Sequence, residues 1–478
     1  MRKAIVSLFM PTVLILITVA NTPANEFAEK IERLKPTVVN LEVTNEVNLG
    51  FDTAGKWSGT GFIVDEKKGI IATNRHLTST SYPSIKITFV DGTAAQGRVL
   101  YYDYYHDFAF IQFDPSSVSL PLKEAKLGSS FDLQPQETVF LIGNNELKEY
   151  SVKLGMVVNT REDHGDRHSL TIQTSFDRTG GSSGSPVFNE REEVVGIHFK
   201  GTNTSSFELP IEYIRDALDA IDKGNTPRRG DIGVQLGYVH LDDAIRHIAI
   251  NDTYRSVYKR KFPSAKKVIH IEGIIPRSPA QKVLRPGDII WAVGDELIGD
   301  NLYLFDKLVD QKVNQTIRLT VLRREGEVVA ELPVQDLERQ KTNRFVLFGG
   351  GTFQDITTEI RSMMGYAGDG VFMNNARLGT PFSSLGDVLD RSNPTQRFVI
   401  IQELNGKRIR NLDDFEKAAA GIADGTDTTI IYQDRASFNT SPKVNYTSFK
   451  LKFSELRFFE MNHKREFVRR LGVERAAR

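Results

Sequence analysis

The sequence contains no cysteine. That excludes a disulfide-stapled scaffold, thiol catalysis, cysteine-ligated zinc and iron–sulfur clusters. It leaves export open, because a chain of this size needs no disulfide to hold its core. Net charge is absent too, with 61 Lys+Arg against 61 Asp+Glu. A protein built to grip phosphate backbones carries a basic excess, so dedicated nucleic-acid binding is not expected. No histidine pair has metal spacing such as H-E-x-x-H, so neither a metal nor any other cofactor is implied. Beyond residue 20 no run of about 18 uninterrupted apolar residues remains to cross a bilayer. What is present is 478 residues, 40% apolar and 26% charged, the composition of about three ordinary globular domains.

Met1-Arg2-Lys3 is a short basic start, and an apolar stretch then runs to Ala20. Small residues follow, so residues 1–24 read as a secretory signal cleaved after Ala20 or Ala24. The competing reading is a retained membrane anchor, which Pro11 and the short length disfavour. From residue 36 to 199 the chain reads as many short strands, such as Val38-Val39-Asn40-Leu41-Glu42-Val43, separated by glycine-rich or polar turns. That pattern predicts a barrel or sandwich. Ile214, Leu218 and Ile221 share one face of a predicted helix over 211–221. Residues 223–230 then form a polar linker with Gly and Pro breakers. The strand pattern before it predicts a unit over 25–222 that folds by itself.

A second unit spans 230–336, with a helix-like, basic insertion at about 239–267 that includes Tyr258-Lys259-Arg260-Lys261-Phe262. A third spans 340–453 and repeats faintly the ending of the second. Residues 454–478 read as a charged tail, predicted helical and solvated.

The strongest local signal is Thr179-Gly180-Gly181-Ser182-Ser183-Gly184-Ser185-Pro186-Val187. A serine nucleophile needs a hydroxyl projecting from a tight turn and nearby backbone N–H groups to hold an oxyanion. Glycines around the serine permit such a backbone. A plain Gly/Ser loop would look similar, so partners decide. His76 stands where a strand ends, and Asp107 opens the run Phe108-Ala109-Phe110-Ile111-Gln112-Phe113, read as alternating. The order is His, Asp, Ser. His106 as base and Asp103 as carboxylate are alternatives. Adjacent His106 and Asp107 make a poor pair, since neighbours in a strand face opposite ways.

Three motifs together resemble the HtrA (Deg) family of trypsin-like serine proteases. They are Gly59-Thr60-Gly61-Phe62-Ile63-Val64 with Thr73-Asn74-Arg75-His76, Asp103-Tyr104-Tyr105-His106-Asp107-Phe108-Ala109, and Gly181-Ser182-Ser183-Gly184-Ser185-Pro186. Arg229-Gly230-Asp231-Ile232-Gly233-Val234 and Leu284-Arg285-Pro286-Gly287-Asp288-Ile289-Ile290 look like the PDZ domain that follows the protease in that family. The resemblance implies a mainly β protein: a chymotrypsin-like double β-barrel protease domain followed by two α+β PDZ-like domains, the second divergent. It implies His76 as base, Asp107 as its orienting acid and Ser183 as nucleophile. The backbone N–H groups of Gly181 and Ser183 would form the oxyanion hole. Gly230, Ile232, Gly233 and Val234 would bind peptide C-termini.

The family usually has a second glycine where Ser185 stands, and Ser185 keeps its N–H. Leu385-Gly386-Asp387-Val388 is the nearest the third unit comes to a Pro-Gly-Asp element, and 344–350 is its candidate carboxylate-binding turn and strand. The implied activity is that of an exported, periplasmic, ATP-independent serine endopeptidase acting on unfolded or misfolded proteins, assembled as a homotrimer. No nucleic acid is implied as a partner, and a membrane only if the N-terminal segment is retained. A chaperone or scaffold with secondary proteolysis is the alternative. An α/β-fold lipase is excluded by the triad order. Small aliphatic cleavage preference is expected. Asp177, six residues before Ser183, is the one feature that suggests a preference for Lys or Arg.

Overall fold

The short strands between 36 and 210 close into two six-stranded antiparallel barrels. A computed structural model of the chain describes residues 23–470, apart from 146–147, 165–166, 178–179, 203, 249, 375, 378, 386–397, 436–442 and 463–464. The basic and apolar start, residues 1–22, therefore lies outside the described residues, and Ala24 falls in the first turn of helix α1 (Pro23–Leu34). The first barrel comprises β1 (Val38–Asn45), β2 (Gly55–Asp65), β3 (Ile70–Asn74), β4 (Ser84–Thr88), β5 (Ala94–Asp103) and β6 (Phe108–Gln112). The second comprises β7 (Thr138–Asn145), β8 (Lys148–His164), β9 (Arg167–Thr174), β10 (Pro186–Phe188), β11 (Val194–Gly201) and β12 (Ser206–Pro210).

The burial pattern explains why the barrels face each other. Leu41, Ile63, Ile71, Ile87 and Ile111 fill the first barrel. The alternate residues Phe62, Ala72, Phe108 and Phe110 pack outward onto Phe140, Phe188 and Ile197 of the second. The 108–112 run does not alternate between core and water, because Phe108 to Ile111 are all buried. Each face of the strand has its own apolar partner. The predicted helix appears as α3 (Ile211–Asp222), with Ile214 and Leu218 buried.

The second unit is a six-stranded sheet. Its long strands run in the order Val234–His240, Lys267–Ile274, Ile289–Val293, Thr316–Arg323, Gly326–Pro333. The basic insertion contains the helix Asp252–Lys261, anchored by the buried Tyr258, while Lys259, Arg260 and Lys261 face solvent. The third unit repeats this order from Gly351–Asp355 through Val371–Met373, Phe398–Leu404 and Asp427–Arg435 to Lys443–Lys450. Helix Leu412–Ala419 stands where Leu302–Asp310 stands in the second.

Three expectations are corrected. The 454–478 tail is not a helix in its described part. Arg457–Met461 and Phe467–Arg469 are strands that extend the third sheet, because Phe459 stacks on Phe345 at 4.7 Å and Phe467 meets the same ring edge-on. The 344–350 segment is the expected strand and turn, but it is no carboxylate cradle, because the Gly349 N–H already donates to the Phe453 carbonyl at 3.1 Å. Arg344–Phe348 is a strand, and Gly349-Gly350 is a tight hairpin turn with both φ angles positive. The 386–388 part of the Pro-Gly-Asp candidate lies outside the described residues. The polar linker also fails to insulate the units. The Arg229 side chain, 11% exposed, bridges Asp103 of β5 to Asp310 of the second unit.

Candidate active site

His76 sits in α2 (Arg75–Thr78), a single helical turn that caps β3. Trp57 Nε1 donates to the carbonyl of Leu77, fixing this turn on β2. Asp107 precedes β6 with φ of +53°, a left-handed conformation that a short polar residue tolerates better than a bulky one. That geometry sends both carboxylate oxygens to one residue. Oδ1 accepts the His76 backbone N–H at 2.9 Å, and Oδ2 lies 2.7 Å from His76 Nδ1. The carbonyl of Asp107 accepts from the Arg75 N–H at 3.0 Å and Asn74 Nδ2 at 3.1 Å. The imidazole is thus held at Nδ1, with Nε2 making no hydrogen bond among the described residues.

Burial separates the three serines of the Gly/Ser loop. Ser182 and Ser185 are buried, while Ser183 is half-buried. Ser183 sits between Gly181 (φ +88°) and Gly184 (φ +82°), and its turn is clamped by the first barrel. Thr60 of β2 donates its N–H to the Ser183 carbonyl at 2.9 Å and its hydroxyl to the Gly181 carbonyl at 3.1 Å. Its carbonyl accepts the Thr73 hydroxyl at 2.7 Å, three residues before His76. A Cβ on Gly184 would lie 2.0 Å from the Thr60 carbonyl oxygen and 2.4 Å from Thr73 Oγ1, so only glycine allows this approach. The N–H groups of Gly181 and Ser183 donate to nothing among the described residues, which leaves two adjacent donors beside the Ser183 hydroxyl.

Sequence reading missed two supports. Thr60 was read only as part of a strand motif, although it is the residue that joins the barrels at the loop. His198 brackets the same loop from behind: its carbonyl accepts from Gly184 N–H and its N–H donates to Ser185, both at 3.0 Å. The His198 ring lies buried against Glu208 (3.0 Å) and Ser206 (2.8 Å), and Thr174 donates to Glu208 at 2.7 Å. No motif marks His198, and the motif that contains Thr60 does not mark its role. Only the pairing of β11 with β12, and of β12 with β9, reveals the second.

The alternatives do not assemble. His106 is buried between Asp103 (3.3 Å) and Asp306 (3.2 Å) of the second unit, away from solvent. Asp177 is at the surface, its side chain 69% exposed and 2.5 Å from Lys153, so it is not the floor of a pocket. The proposed carboxylate cradle is already engaged. Ile232 and Val234 are buried, and the Gly233 N–H donates to Asp231 Oδ1 at 2.9 Å. The Ile232 and Gly233 carbonyls accept from Ala280 and Ile275. Gly230 donates to Asp310 at 2.7 Å. Among the described residues no group of three or more acidic or histidine side chains is placed to hold a metal ion.

A hydroxyl in a loop with unengaged backbone donors, and an imidazole oriented by a half-buried carboxylate, is the equipment for acyl transfer from an amide. The comparisons agree with that chemistry. Residues 59–197 match the family model of the trypsin-like peptidase domain, and residues 340–425 that of a PDZ-like domain. The chain carries a trypsin-like peptidase domain and a PDZ-like domain.

Curated proteins to which the chain is similar include the pro-apoptotic serine protease NMA111 of Debaryomyces hansenii, 26% identical over 428 residues, which are 87% of this chain and 42% of that protein. The protein of that name from Scheffersomyces stipitis is 29% identical over 377 residues, 76% of this chain and 38% of that one. The chain thus spans about two fifths of the length of these relatives. Among solved structures, the HtrA-type protease AlgW with tripeptide aligns with a TM-score of 0.49 at 21% identity, covering 65% of this chain and 97% of that one. No helix among the described residues is long and apolar enough to cross a membrane.

Proposed function

We propose that the chain is an endopeptidase in which Ser183 attacks the scissile carbonyl, His76 is the general base and Asp107 orients it. The observation that carries this reading is the 2.7 Å His76–Asp107 contact beside a clamped loop whose half-buried serine is Ser183. His76 Nε2 takes the Ser183 proton, and the Asp107 carboxylate fixes the tautomer with the proton on Nδ1. The N–H groups of Gly181 and Ser183 receive the oxyanion as the carbonyl becomes tetrahedral. The same imidazole then returns its proton to the departing amine, and water releases the acyl group by the reverse sequence.

The substrates are unfolded or misfolded proteins, taken up as extended segments. What supports this is the strand Val234–His240, which ends its sheet with no strand paired on its outer edge among the described residues, the edge that peptide strand addition needs. In the third unit the equivalent edge of Gly351–Asp355 is occupied by Arg344–Phe348, so peptide capture belongs to the second unit. Small aliphatic residues precede the cut, since Asp177 offers no buried counter-charge for a basic side chain. The basic and apolar start of the sequence supports export, to a periplasm in a bacterial host. The family resemblance supports a homotrimer. The test is a cleavage map on unfolded casein with the wild-type and Ser183→Ala chains. Undiminished cleavage by Ser183→Ala refutes the assignment. Loss of cleavage with full suppression of aggregation would make holding, rather than cutting, the main activity.

A further inference from the structure

The residue before His76 is committed to the third unit. Arg75 has a side chain only 4% exposed, and its guanidinium reaches Asp52 Oδ1 at 3.2 Å through Nη1 and Glu359 Oε1 at 3.3 Å through Nη2. It also lies over the Tyr104 ring, 5.3 Å from the centroid. Glu359 comes from 284 residues downstream, in the first turn of helix Thr358–Met364, which the Thr357 hydroxyl caps. The backbone N–H of Arg75 meanwhile donates to the Asp107 carbonyl. One residue therefore ties the third unit to both members of the His–Asp pair.

The third unit grips the same neighbourhood at three more points. Gln354 Oε1 accepts the Gly50 N–H at 2.6 Å, Asn374 Nδ2 donates to the Asp52 carbonyl at 3.0 Å, and Phe51 meets Phe372 with ring centroids 5.6 Å apart. The Asp52 carboxylate also accepts from the Thr80 N–H at 2.8 Å, the Thr80 hydroxyl at 2.9 Å and the Ser79 hydroxyl at 3.2 Å. The turn that carries His76 is held at its start by Arg75 and just past its end by Ser79 and Thr80. Both holds run through a loop that the third unit fixes.

We infer that Glu359 is a positioning residue for His76, acting through Arg75, which makes the third unit a working part of the protease. The inference rests on the assignment of His76 and Asp107 above. A buried guanidinium needs its charge compensated locally. Asp52 is shared among three other donors, so Glu359 is the acid that satisfies the second arm of the fork. Tyr104 presents a ring face and no formal charge. If the Glu359 charge is removed, Asp52 remains paired with one arm of the fork and Asp107 is the next acid in electrostatic reach of the other. Arg75 then competes with His76 for the carboxylate that sets the imidazole. A displacement of about 1 Å at a reacting group costs on the order of 10²-fold in rate.

The test uses the full chain carrying Glu359→Gln, Glu359→Asp, or Glu416→Gln as a control on the far side of the same unit, where Glu416 pairs with Arg470. Peptide hydrolysis gives kcat, KM and the pH profile of kcat/KM. The His76 imidazole is titrated by NMR in the Ser183→Ala background, assigned with His76→Gln, and melting is followed in parallel. Glu359→Gln is expected to lower kcat by about 10- to 100-fold with KM within about threefold. It is also expected to lower the His76 titration midpoint, with Glu359→Asp restoring part of both and Glu416→Gln matching wild type. A Glu359→Gln chain with the wild-type titration of His76 overturns the inference, as does a kcat loss that vanishes on cooling in step with recovered folding. The NMR titration decides even if Ser183→Ala retains hydrolysis, an outcome that would refute the nucleophile and not the positioning.

Discussion

Asp231 is the least compensated acid in the chain's second unit, and replacing it by Asn should stabilise the protein above pH 6. Its Oδ1 accepts from the Gly233 N–H at 2.9 Å and the Tyr105 hydroxyl at 3.2 Å, while buried Oδ2 has no hydrogen-bond partner among the described residues. Burial pushes its pKa from 3.8 up to about 6, against the Gly233 N–H and the Tyr105 hydroxyl, which favour the anion. The folded chain therefore keeps this proton where the unfolded chain has already lost it. Between pH 4 and 6 the native state binds more protons, so this group makes stability fall as pH rises. At about 1.4 kcal/mol per pH unit the full cost is about 3 kcal/mol above pH 6. Asn cannot ionise, but its buried amide N–H lacks an acceptor, which costs about 1 kcal/mol or more. The expected gain is thus about 1–2 kcal/mol at pH 7.5 and none at pH 4. Urea unfolding followed through Trp291, in a Trp57→Phe background, reads this unit directly. Equal destabilisation of Asp231→Asn at both pH values would refute the reasoning, for it would mean that the carboxylate is well satisfied as an anion.

Ser183→Ala should cost on the order of 10⁴- to 10⁶-fold in kcat with the melting temperature unchanged, measured on casein peptides. Thr60→Val removes the donor to Gly181 and the acceptor of the Asn144 N–H (2.8 Å), so it should cost about 1–3 kcal/mol and lower kcat more than KM. Thr60→Ser should restore most of both. Burial opposes the charge of His106, but Asp103, aided by a hydrogen bond to Asp306, outweighs burial and the nearby Arg229 and raises its pKa above 6.5. Its stabilisation is therefore fully present below pH 6.5 and is lost as pH rises through the raised value. His106→Gln should flatten melting temperature against pH in that window, with Asp103, Asp306, Arg229 and the stacked Tyr213 unchanged around it. A chain ending at residue 223 should melt well below the full protein. A protease unit with an unchanged melting temperature would contradict the packing of Asp103 and Arg75 against the later units.

The proposed trio of His76, Asp107 and Ser183 could be singled out in the sequence because such chemistry leaves local marks. Gly181 and Gly184 must adopt positive φ around Ser183, and His76 and Asp107 each stand where a strand begins or ends. The barrel was legible from strand length and turn punctuation, but strand faces were not. The 108–112 run looked two-sided because a single sequence cannot tell a barrel interior from an interface between barrels. The tail was misread for a related reason. Charges in 454–470 hid Phe458, Phe459 and Phe467, whose spacing is that of strands adding to an existing edge. Asp177 had the right offset from Ser183 for a specificity residue, yet offset fixes neither the loop path nor the direction of a side chain.

The linker shows most clearly what composition conceals. Arg228-Arg229 between Pro227 and Gly230 reads as solvated, since charged side chains are seldom buried unless paired. Yet Asp103 lies 126 residues upstream of Arg229 and Asp310 lies 81 downstream. Such partners are invisible to any local window. Lys341, over the Tyr102 ring and bonded to the Tyr102 carbonyl, and Arg75, against Glu359, repeat the arrangement on the third unit. Arg229 and Arg75 are cations that would be costly to leave in place without their acids, by about 3–5 kcal/mol for a broken buried pair, whereas Lys341 keeps Glu338 on its own side. A unit boundary built from such pairs resists sliding, because a small shift strands charges on both sides. The three units are therefore continuous in energy where they are distinct in topology, and the site around His76 and Asp107 lies where the first and third of them meet.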